Sequence, residues 1–169
     1  MKKFIIILIG CIIIFLDGCN DDTPTCTKTV KADLLSEVDQ TKLSSDIAII
    51  DSYLLSKGIS AQTEPNGVRY VISSLGTGST PCLENRISVI YSGRLINSGL
   101  PFDSTTTPVT FTLSGLILGW KLVLPIIPEG SKVTLYIPSG YAYGTSVAAG
   151  GKIPANSNLV FEIEFVKIM

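Results

Sequence analysis

The period of the hydrophobic positions changes along the chain. Behind a short basic start, residues 4–16 are almost continuously apolar, and a polar stretch follows to about residue 37. Between residues 43 and 54, apolar side chains recur every three or four positions, as they do on one face of a helix. From residue 68 onward, apolar and polar residues alternate in short segments, which is the period of strands. The pattern therefore predicts a leader, a polar segment, one amphipathic helix and a strand-rich domain.

The predicted helix has clear boundaries. Asp39 or Thr41 could cap its start, and Lys57 followed by Gly58 is a typical end. We expect its apolar face to dock on the adjacent domain; a dimerisation helix is the alternative. Residues 38–64 are assigned to this helix and a linker. The apolar face carries Leu43, Ile47, Ile50 and Leu54.

The remaining residues, 65–169, predict one domain of mixed structure. Leu159 to Phe165 shows the pattern of a strand with one buried and one solvated face, since Glu162 and Glu164 oppose its apolar residues. Leu116 to Leu124 is apolar nearly all round and ends at Pro125, which predicts a short buried helix. Many alternating strands around one such helix indicate an antiparallel α+β fold. The other predicted strands are 68–72, 87–91, 109–113 and 133–137.

The leader is typical of an exported protein. Its almost unbroken apolar run of thirteen residues is shorter than the about 20 that a membrane-spanning helix needs, and it follows a basic start, as in a secretory signal peptide. Leu16-Asp17-Gly18-Cys19 resembles the lipobox, where the lipoprotein signal peptidase cleaves before a cysteine that becomes lipidated. This resemblance implies a signal peptide over residues 1–18, lipidation of Cys19 and a flexible tether over residues 19–37.

Two alternatives to this lipidation site stay open. Leu8-Ile9-Gly10-Cys11 fits the lipobox letter by letter, but only six apolar residues would precede Cys11. The leader could also be an ordinary cleaved signal without lipid. With lipidation at Cys19, we expect the protein to be anchored to a bacterial membrane, the outer one being favoured, and to face the periplasm or the cell surface.

The mature chain holds two further cysteines, Cys26 and Cys82. An exported protein lies in a compartment where disulfides persist, so a bridge between them is the simplest interpretation. Two free buried thiols are the alternative. A catalytic cysteine is not supported, because the chain has no histidine to activate one.

Charge and composition narrow the possible functions. The 169 residues include 13 Lys and Arg against 14 Asp and Glu, so we expect no nucleic-acid partner. The absence of histidine excludes Ser-His-Asp and Cys-His catalysis and argues against most zinc sites. A function carried by an apolar pocket is compatible with this composition.

The strand-rich part of the chain contains a series of motifs that resemble one family. Over residues 68–169 they follow the order of the FKBP-type peptidyl-prolyl isomerases at close to that family's spacing. The motifs are Val89-x-Tyr91-x-Gly93-x-Leu95, Gly99-x-x-Phe102-Asp103-Ser104, Phe111-x-Leu113, Ile117-x-Gly119-Trp120, Glu129-Gly130-x-Lys132-Val133, Ile137-Pro138, Tyr141-Ala142-Tyr143-Gly144 and Ile153-Pro154-Ala155-Asn156-Ser157-x-Leu159-Val160-Phe161.

The resemblance implies a fold and a site. The fold is a five- or six-stranded antiparallel sheet wrapped around one short helix, with a ligand pocket between them. Trp120 would form the pocket floor, and Asp103 and Tyr143 the polar groups at its rim; these three are the candidate catalytic residues. The backbone N–H of Ile117 would donate to a substrate carbonyl. The candidate substrate-binding residues are Tyr91, Phe102, Phe111, Leu116, Ile117, Ile153 and Phe161.

Structural alternatives exist for several of these residues. Phe111 and Phe161 could belong wholly to the core, as aromatic residues on alternating strands usually do. Trp120 in a buried helix would be core by default. Asp103 could be a turn-former, since the run Asp-Ser-Thr-Thr-Thr is turn-prone.

The resemblance also implies an activity. A membrane-anchored peptidyl-prolyl cis-trans isomerase would assist the folding of exported proteins, with no cofactor, metal or nucleophile. Its partners would be proline-containing polypeptides, with the macrolides tacrolimus and rapamycin as possible ligands. A non-catalytic module that binds proline segments, as a chaperone would, and a structural lipoprotein with a relic pocket are the alternatives.

Three departures from the family pattern bear on turnover. Val109 stands where well-known members carry a second phenylalanine on that strand, and Lys121-Leu122-Val123 replaces a polar run that contains glycine. The loop 145–152 is rich in Gly, Ala and Ser and lacks bulky residues. Leu122, Val123 and the small loop favour the non-catalytic binding module.

Overall fold

The alternating segments form one antiparallel sheet, and the segments of helical period form helices. The computed structural model of the protein describes residues 25–169. The helices are α1 (Ala32–Ser36), α2 (Gln40–Ser56) and α3 (Leu118–Val123). The strands are β1 (Gln62–Thr63), β2 (Arg69–Ser74), β3 (Arg86–Leu95), β4 (Pro101–Ser104), β5 (Val109–Thr112), β6 (Lys132–Ile137) and β7 (Leu159–Ile168). Short 3₁₀ turns occupy Leu113–Gly115, Leu124–Ile126, Ser139–Tyr141 and Ala149–Gly151.

Within residues 25–169, the sheet has seven strands. Six follow the order β1-β2-β6-β7-β3-β4, and β5 pairs with β3 beyond the point where β4 ends. All of these pairings are antiparallel. The antiparallel α+β class predicted from the sequence is therefore confirmed, although the strand count exceeds the expected five or six. Two of the strands were not predicted. β1 has two residues, too few for an alternation to be visible, and the residues of β4, Pro-Phe-Asp-Ser, do not alternate between apolar and polar.

The main core lies between the sheet and α3. Trp120, Leu122 and Val123 of α3 are buried in one cluster with apolar residues of β3, β6 and β7. Gly119 permits this close approach, because a Cβ at that position would lie 2.5 Å from Cγ2 of Ile137. The helix is shorter than the predicted segment 116–124, and a 3₁₀ turn that contains Pro125 follows it directly.

Helix α2 covers a second part of the sheet. Asp39 caps its start by accepting hydrogen bonds from the amides of Thr41 and Lys42, and Lys57 is the C-cap that follows its last residue, Ser56. The expected docking of its apolar face is confirmed, since Ile50 and Leu54 are buried together with residues of β6 and β7. The residues that meet them are Ile96, Tyr136 and Val160.

The segment that precedes α2 is held against the domain. Cys26 and Cys82 form a disulfide with their Cα atoms 5.2 Å apart. The amide of Leu83 donates to the carbonyl of Thr27 at 2.7 Å, and α1 follows. Over residues 25–37, the structure thus differs from the flexible tether that was predicted for residues 19–37. Too few apolar residues contact the core here to produce a periodic pattern.

The leader lies outside the described residues, and with it both candidate lipidation sites, Cys11 and Cys19. Between residues 25 and 169, no helix combines the length and the apolar character needed to cross a membrane.

Candidate active site

A pocket of about 440 Å³ opens between α3 and the strands β3, β4, β5 and β7. Its walls are mostly aromatic and aliphatic, and a few polar groups stand among them, as in most small-molecule sites. The ten residues predicted as catalytic or substrate-binding all line it, together with two that were not predicted. The lining residues are Tyr91, Phe102, Asp103, Phe111, Leu116, Ile117, Trp120, Tyr143, Ala149, Lys152, Ile153 and Phe161.

Trp120 anchors the aromatic part of the pocket. Its side chain is 3% exposed, and its ring meets Tyr91 and Phe161 edge-on, at centroid distances of 5.7 and 5.3 Å. Phe161 in turn packs edge-on against Phe102 at 5.4 Å. Edge-to-face contacts of this kind are favourable because a ring's positive edge meets its neighbour's negative face. Trp120 and Phe161 therefore belong to the core and to the pocket at once.

Gly93 on β3 makes room for this arrangement. A Cβ at this position would lie 2.5 Å from ring atoms of Phe102 and 2.8 Å from the ring of Phe161. Real Cβ atoms do not approach other atoms so closely, so the two rings can lie over β3 only because residue 93 has no side chain. The glycine of the first family motif thus shapes the pocket wall.

Asp103 and Tyr91 form the polar pair of the pocket. Asp103 lies in β4 opposite Gly93, so the turn-former alternative for this residue is wrong. Its Oδ2 accepts a hydrogen bond from the Tyr91 hydroxyl at 2.5 Å. Burial of Tyr91, followed by this hydrogen bond and the carboxylate charge, raises the pKa of Tyr91 to about 12. The phenol is therefore neutral and donates at physiological pH.

Two further groups in the pocket are free to bind a ligand. Tyr143 is 40% exposed at the rim. Ile117 precedes α3, and its carbonyl accepts from the Trp120 amide at 3.1 Å. Its own N–H donates to no backbone or side-chain acceptor within residues 25–169. An unpaired amide beside apolar walls is a specific donor for a ligand carbonyl.

Trp120 carries a further unpaired donor. In the part of the chain that the structure describes, its buried Nε1 has no hydrogen-bond partner. A buried donor without an acceptor lowers stability, so it is retained where a ligand or water can satisfy it.

The two additional lining residues, Ala149 and Lys152, belong to the loop 145–152, and neither was predicted as a site residue. Their loop folds back on itself, because Ala148 and Ile153 exchange backbone hydrogen bonds of 2.9 and 3.1 Å. This hairpin places Lys152 at the pocket, where its Nζ lies 3.5 Å from the Phe102 carbonyl. A loop rich in small residues has no period that would predict such a fold.

The departures from the family pattern fall mostly outside the pocket. Leu122 and Val123 are buried in the core and line no part of it, and Val109 pairs with Val89 in the sheet. The small loop does reach it, through Ala149 and Lys152. Only this third departure changes the pocket's own surface.

Comparison with known proteins shows which family this chain is similar to. Residues 78–166 match the family described as FKBP-type peptidyl-prolyl cis-trans isomerase. The chain is 42% identical over 110 residues to a "Probable FKBP-type peptidyl-prolyl cis-trans isomerase FkpA" of Neisseria meningitidis serogroup B, which covers 63% of this chain and 40% of that protein. It is 37% identical over 107 residues to the "Outer membrane protein MIP" of Legionella longbeachae, covering 62% of this chain and 45% of that one. The chain thus matches less than half the length of either relative.

A solved structure has the same architecture. The peptidyl-prolyl cis-trans isomerase of Pseudomonas syringae pv. tomato superposes with a TM-score of 0.64 at 32% sequence identity. The superposition covers 76% of this chain and 94% of the other.

Proposed function

The chain belongs to the FKBP-type peptidyl-prolyl cis-trans isomerase family, and we propose that it isomerises X-Pro bonds of other polypeptides in the pocket beside Trp120. The observation that carries this proposal is the pocket itself. It combines apolar walls, a neutral Tyr91 donor held by Asp103, and the unpaired amide of Ile117.

The chemistry needs no proton transfer and no covalent intermediate. Resonance gives the X-Pro C–N bond partial double-bond character and a rotation barrier of about 18–20 kcal/mol. Resonance is lost in the twisted transition state, so the amide there is less polar than the planar ground state. An apolar pocket that binds the twisted form more tightly lowers the barrier, and each ~1.4 kcal/mol of difference accelerates the rotation tenfold.

Each group in the pocket has a role in this scheme. The proline ring lies on the Trp120 floor among the aromatic walls. The Ile117 N–H and the Tyr143 hydroxyl hold the carbonyl of the residue that precedes proline. Asp103 keeps the Tyr91 ring and hydroxyl in place at the rim, through the hydrogen bond between them. Rotation then occurs about a bond whose two ends are held separately.

A proline-limited refolding reaction tests this proposal. The purified full chain should accelerate refolding in proportion to its concentration, and rapamycin should abolish the acceleration. Trp120 is the chain's sole tryptophan, so its fluorescence reports ligand entry directly. Absence of acceleration at micromolar concentration would reject catalysis.

A non-catalytic module that binds proline segments is the second candidate. The observation that favours it is the small loop, which places only Ala149 and Lys152 against the pocket. Saturable quenching of Trp120 by rapamycin without any acceleration of refolding would select this function. If the chain neither accelerated refolding nor showed quenching of Trp120, both candidates would be contradicted, and a structural lipoprotein would be the remaining interpretation.

Anchoring at the membrane completes the proposal. The signal-like leader, the lipobox at Cys19 and a disulfide typical of an oxidising compartment all support action on exported proteins. Labelled fatty acid should be incorporated into the parent chain and into Cys11→Ser, but not into Cys19→Ser. If incorporation survives in Cys19→Ser and is lost in Cys11→Ser, the lipidated residue is Cys11. If the parent chain incorporates no label, the protein has no lipid anchor.

A further inference from the structure

Asp46 is a buried carboxylate that the pocket does not use. It lies on the inner face of α2 with no exposed surface. Its Oδ2 accepts from the amide of Ser139 at 3.0 Å and from the Ser139 hydroxyl at 2.5 Å, and its Oδ1 is paired with Lys42. Burial of a carboxylate is costly unless it is paired and hydrogen-bonded. The contacts with Ser139 and Lys42 therefore make the buried position of Asp46 tolerable.

Ser139 begins the turn that carries Tyr143 to the pocket. Its carbonyl accepts from the amide of Ala142 at 3.0 Å and from the amide of Gly144 at 2.8 Å. The residues on both sides of Tyr143 are therefore bonded to Ser139. The amide of Ser139 donates to two acceptors. One is Oδ2 of Asp46, and the other is Oδ1 of Asn158, just before β7, at 2.8 Å.

A turn of this kind needs an external anchor. The 3₁₀ segment Ser139–Tyr141 is three residues long, and such turns are weakly stabilised by their own hydrogen bonds. Tyr143 itself is partly exposed and makes no side-chain hydrogen bond within residues 25–169. The two hydrogen bonds that Ser139 donates to the Asp46 carboxylate are charge-assisted and therefore stronger than ordinary neutral ones.

From these contacts we infer that Asp46 is a positioning residue, through which helix α2 holds Tyr143 at the pocket rim. The expected effect of Asp46 on kcat/KM rests on the proposed function, whereas its hold on the turn does not. It extends the working unit beyond residues 78–166, the part that matches the family. Helix α2 then has a part in activity besides covering the sheet.

Paired substitutions on one helix test the inference. Asp46→Ala removes the anchor of Ser139. Asp51→Ala is the matched control: Asp51 lies on the same helix and forms a two-point ion pair with Arg69 at 2.8 and 2.9 Å, but has no contact with the turn. Both variants are assayed well below their unfolding temperatures. We expect Asp46→Ala to lower kcat/KM on an X-Pro peptide about tenfold, because a misplaced binding group costs activity even in a folded enzyme, and Asp51→Ala to stay within about twofold of the parent.

Hydrogen exchange measures the anchor without any assay of activity. The amides of Ala142 and Gly144 should exchange about tenfold faster in Asp46→Ala, since opening of the turn becomes more frequent. Their exchange should be unchanged in Asp51→Ala. Asp46→Asn keeps an oxygen acceptor for Ser139 and should restore most of the protection and of kcat/KM. If Asp46→Ala does not fold, Ser139→Ala carries the test, since it removes the hydroxyl that donates to Asp46.

The outcomes separate the two proposals. A parent chain without isomerase activity would refute the proposed function, while exchange at Gly144 would still decide whether Asp46 holds the turn. Parental kcat/KM and exchange in Asp46→Ala, or in Ser139→Ala if Asp46→Ala does not fold, would overturn the inference. The inference would also be overturned if Asp46→Ala and Asp51→Ala lost kcat/KM and protection to the same extent, in proportion to their loss of stability.

Discussion

The hydroxyl of Tyr91 lies 2.5 Å from Oδ2 of Asp103, across a hairpin in which β4 turns back along β3. Gly93, two residues from Tyr91, faces Asp103 in the register, so the strand pairing itself brings the two side chains together. The pair links a pocket wall to the pocket rim. Its loss should therefore be visible in kinetics, in titration and in stability.

Asp103→Leu should lower kcat/KM about tenfold in a folded protein, because the Tyr91 hydroxyl loses its acceptor and the ring its fixed position. Tyr91→Phe retains the ring and should cause a smaller loss. The measurement is an X-Pro peptide assay on both variants, alongside circular dichroism to establish folding. Unchanged kinetics in Asp103→Leu would mean that the pocket has been assigned to the wrong residues.

Stability should decline above pH 10 because the pKa of Tyr91 is raised to about 12, first by burial and then by Asp103. A raised pKa means that the folded state binds this proton more tightly than the unfolded chain does. The contribution is therefore complete below the ordinary tyrosine pKa of about 10 and is lost as the pH rises to 12. Denaturant unfolding between pH 9 and 12 should show a shallower decline in Tyr91→Phe than in the parent. Equal slopes in the two proteins would contradict the raised pKa.

Trp120→Ala should abolish saturable macrolide binding and lower stability by roughly 3–5 kcal/mol, as expected for an aromatic residue truncated in a core. Phe165→Ala is the matched control, since Phe165 is fully buried but does not line the pocket. At a temperature where both remain folded, Phe165→Ala should keep its kcat/KM while Trp120→Ala loses it. If both variants lost activity equally, Trp120 would have a structural role in the core and no separate role in the pocket.

Gly93→Ala should weaken macrolide binding and destabilise the fold by about 1–3 kcal/mol, the usual cost of overpacking. The new methyl group would displace the Phe102 and Phe161 rings. Gly115→Ala is the control, because a Cβ there meets no atom within 4 Å. Calorimetric titration of both variants with tacrolimus checks the expectation. Parental affinity in Gly93→Ala would show that the wall tolerates the displacement.

Replacement of Cys26 and Cys82 by serine should lower stability by up to roughly 4 kcal/mol, because the bridge closes a long loop. The two cysteines are separated by 56 positions and lie outside the pocket lining. Turnover of the folded variant should therefore match that of the parent. A thiol reagent should label neither cysteine of the parent in the denatured chain before reduction. Ready labelling there would show that the disulfide does not form.

Local patterns predicted those parts of the fold that depend on neighbouring residues. Three such features follow from side chains within a few positions of one another: the N-cap of α2 at Asp39, its C-cap at Lys57 and the two faces of β7. The ten residues that the family resemblance implies for the site line one pocket, because each motif occupies a fixed place in a shared fold. The tether was predicted less well, since a disulfide and a few isolated contacts hold it.

By itself, then, the sequence determined the fold class, the apolar character of the site and the aromatic residues that line it. Only the tertiary structure placed Asp46 against Ser139, which is 93 positions away, and folded Lys152 back to the pocket. Periodicity reports the surroundings of a residue along its own helix or strand. Contacts between distant segments depend instead on the path of all the chain between them, and a buried charge such as Asp46 can be explained only by the partner which that path delivers.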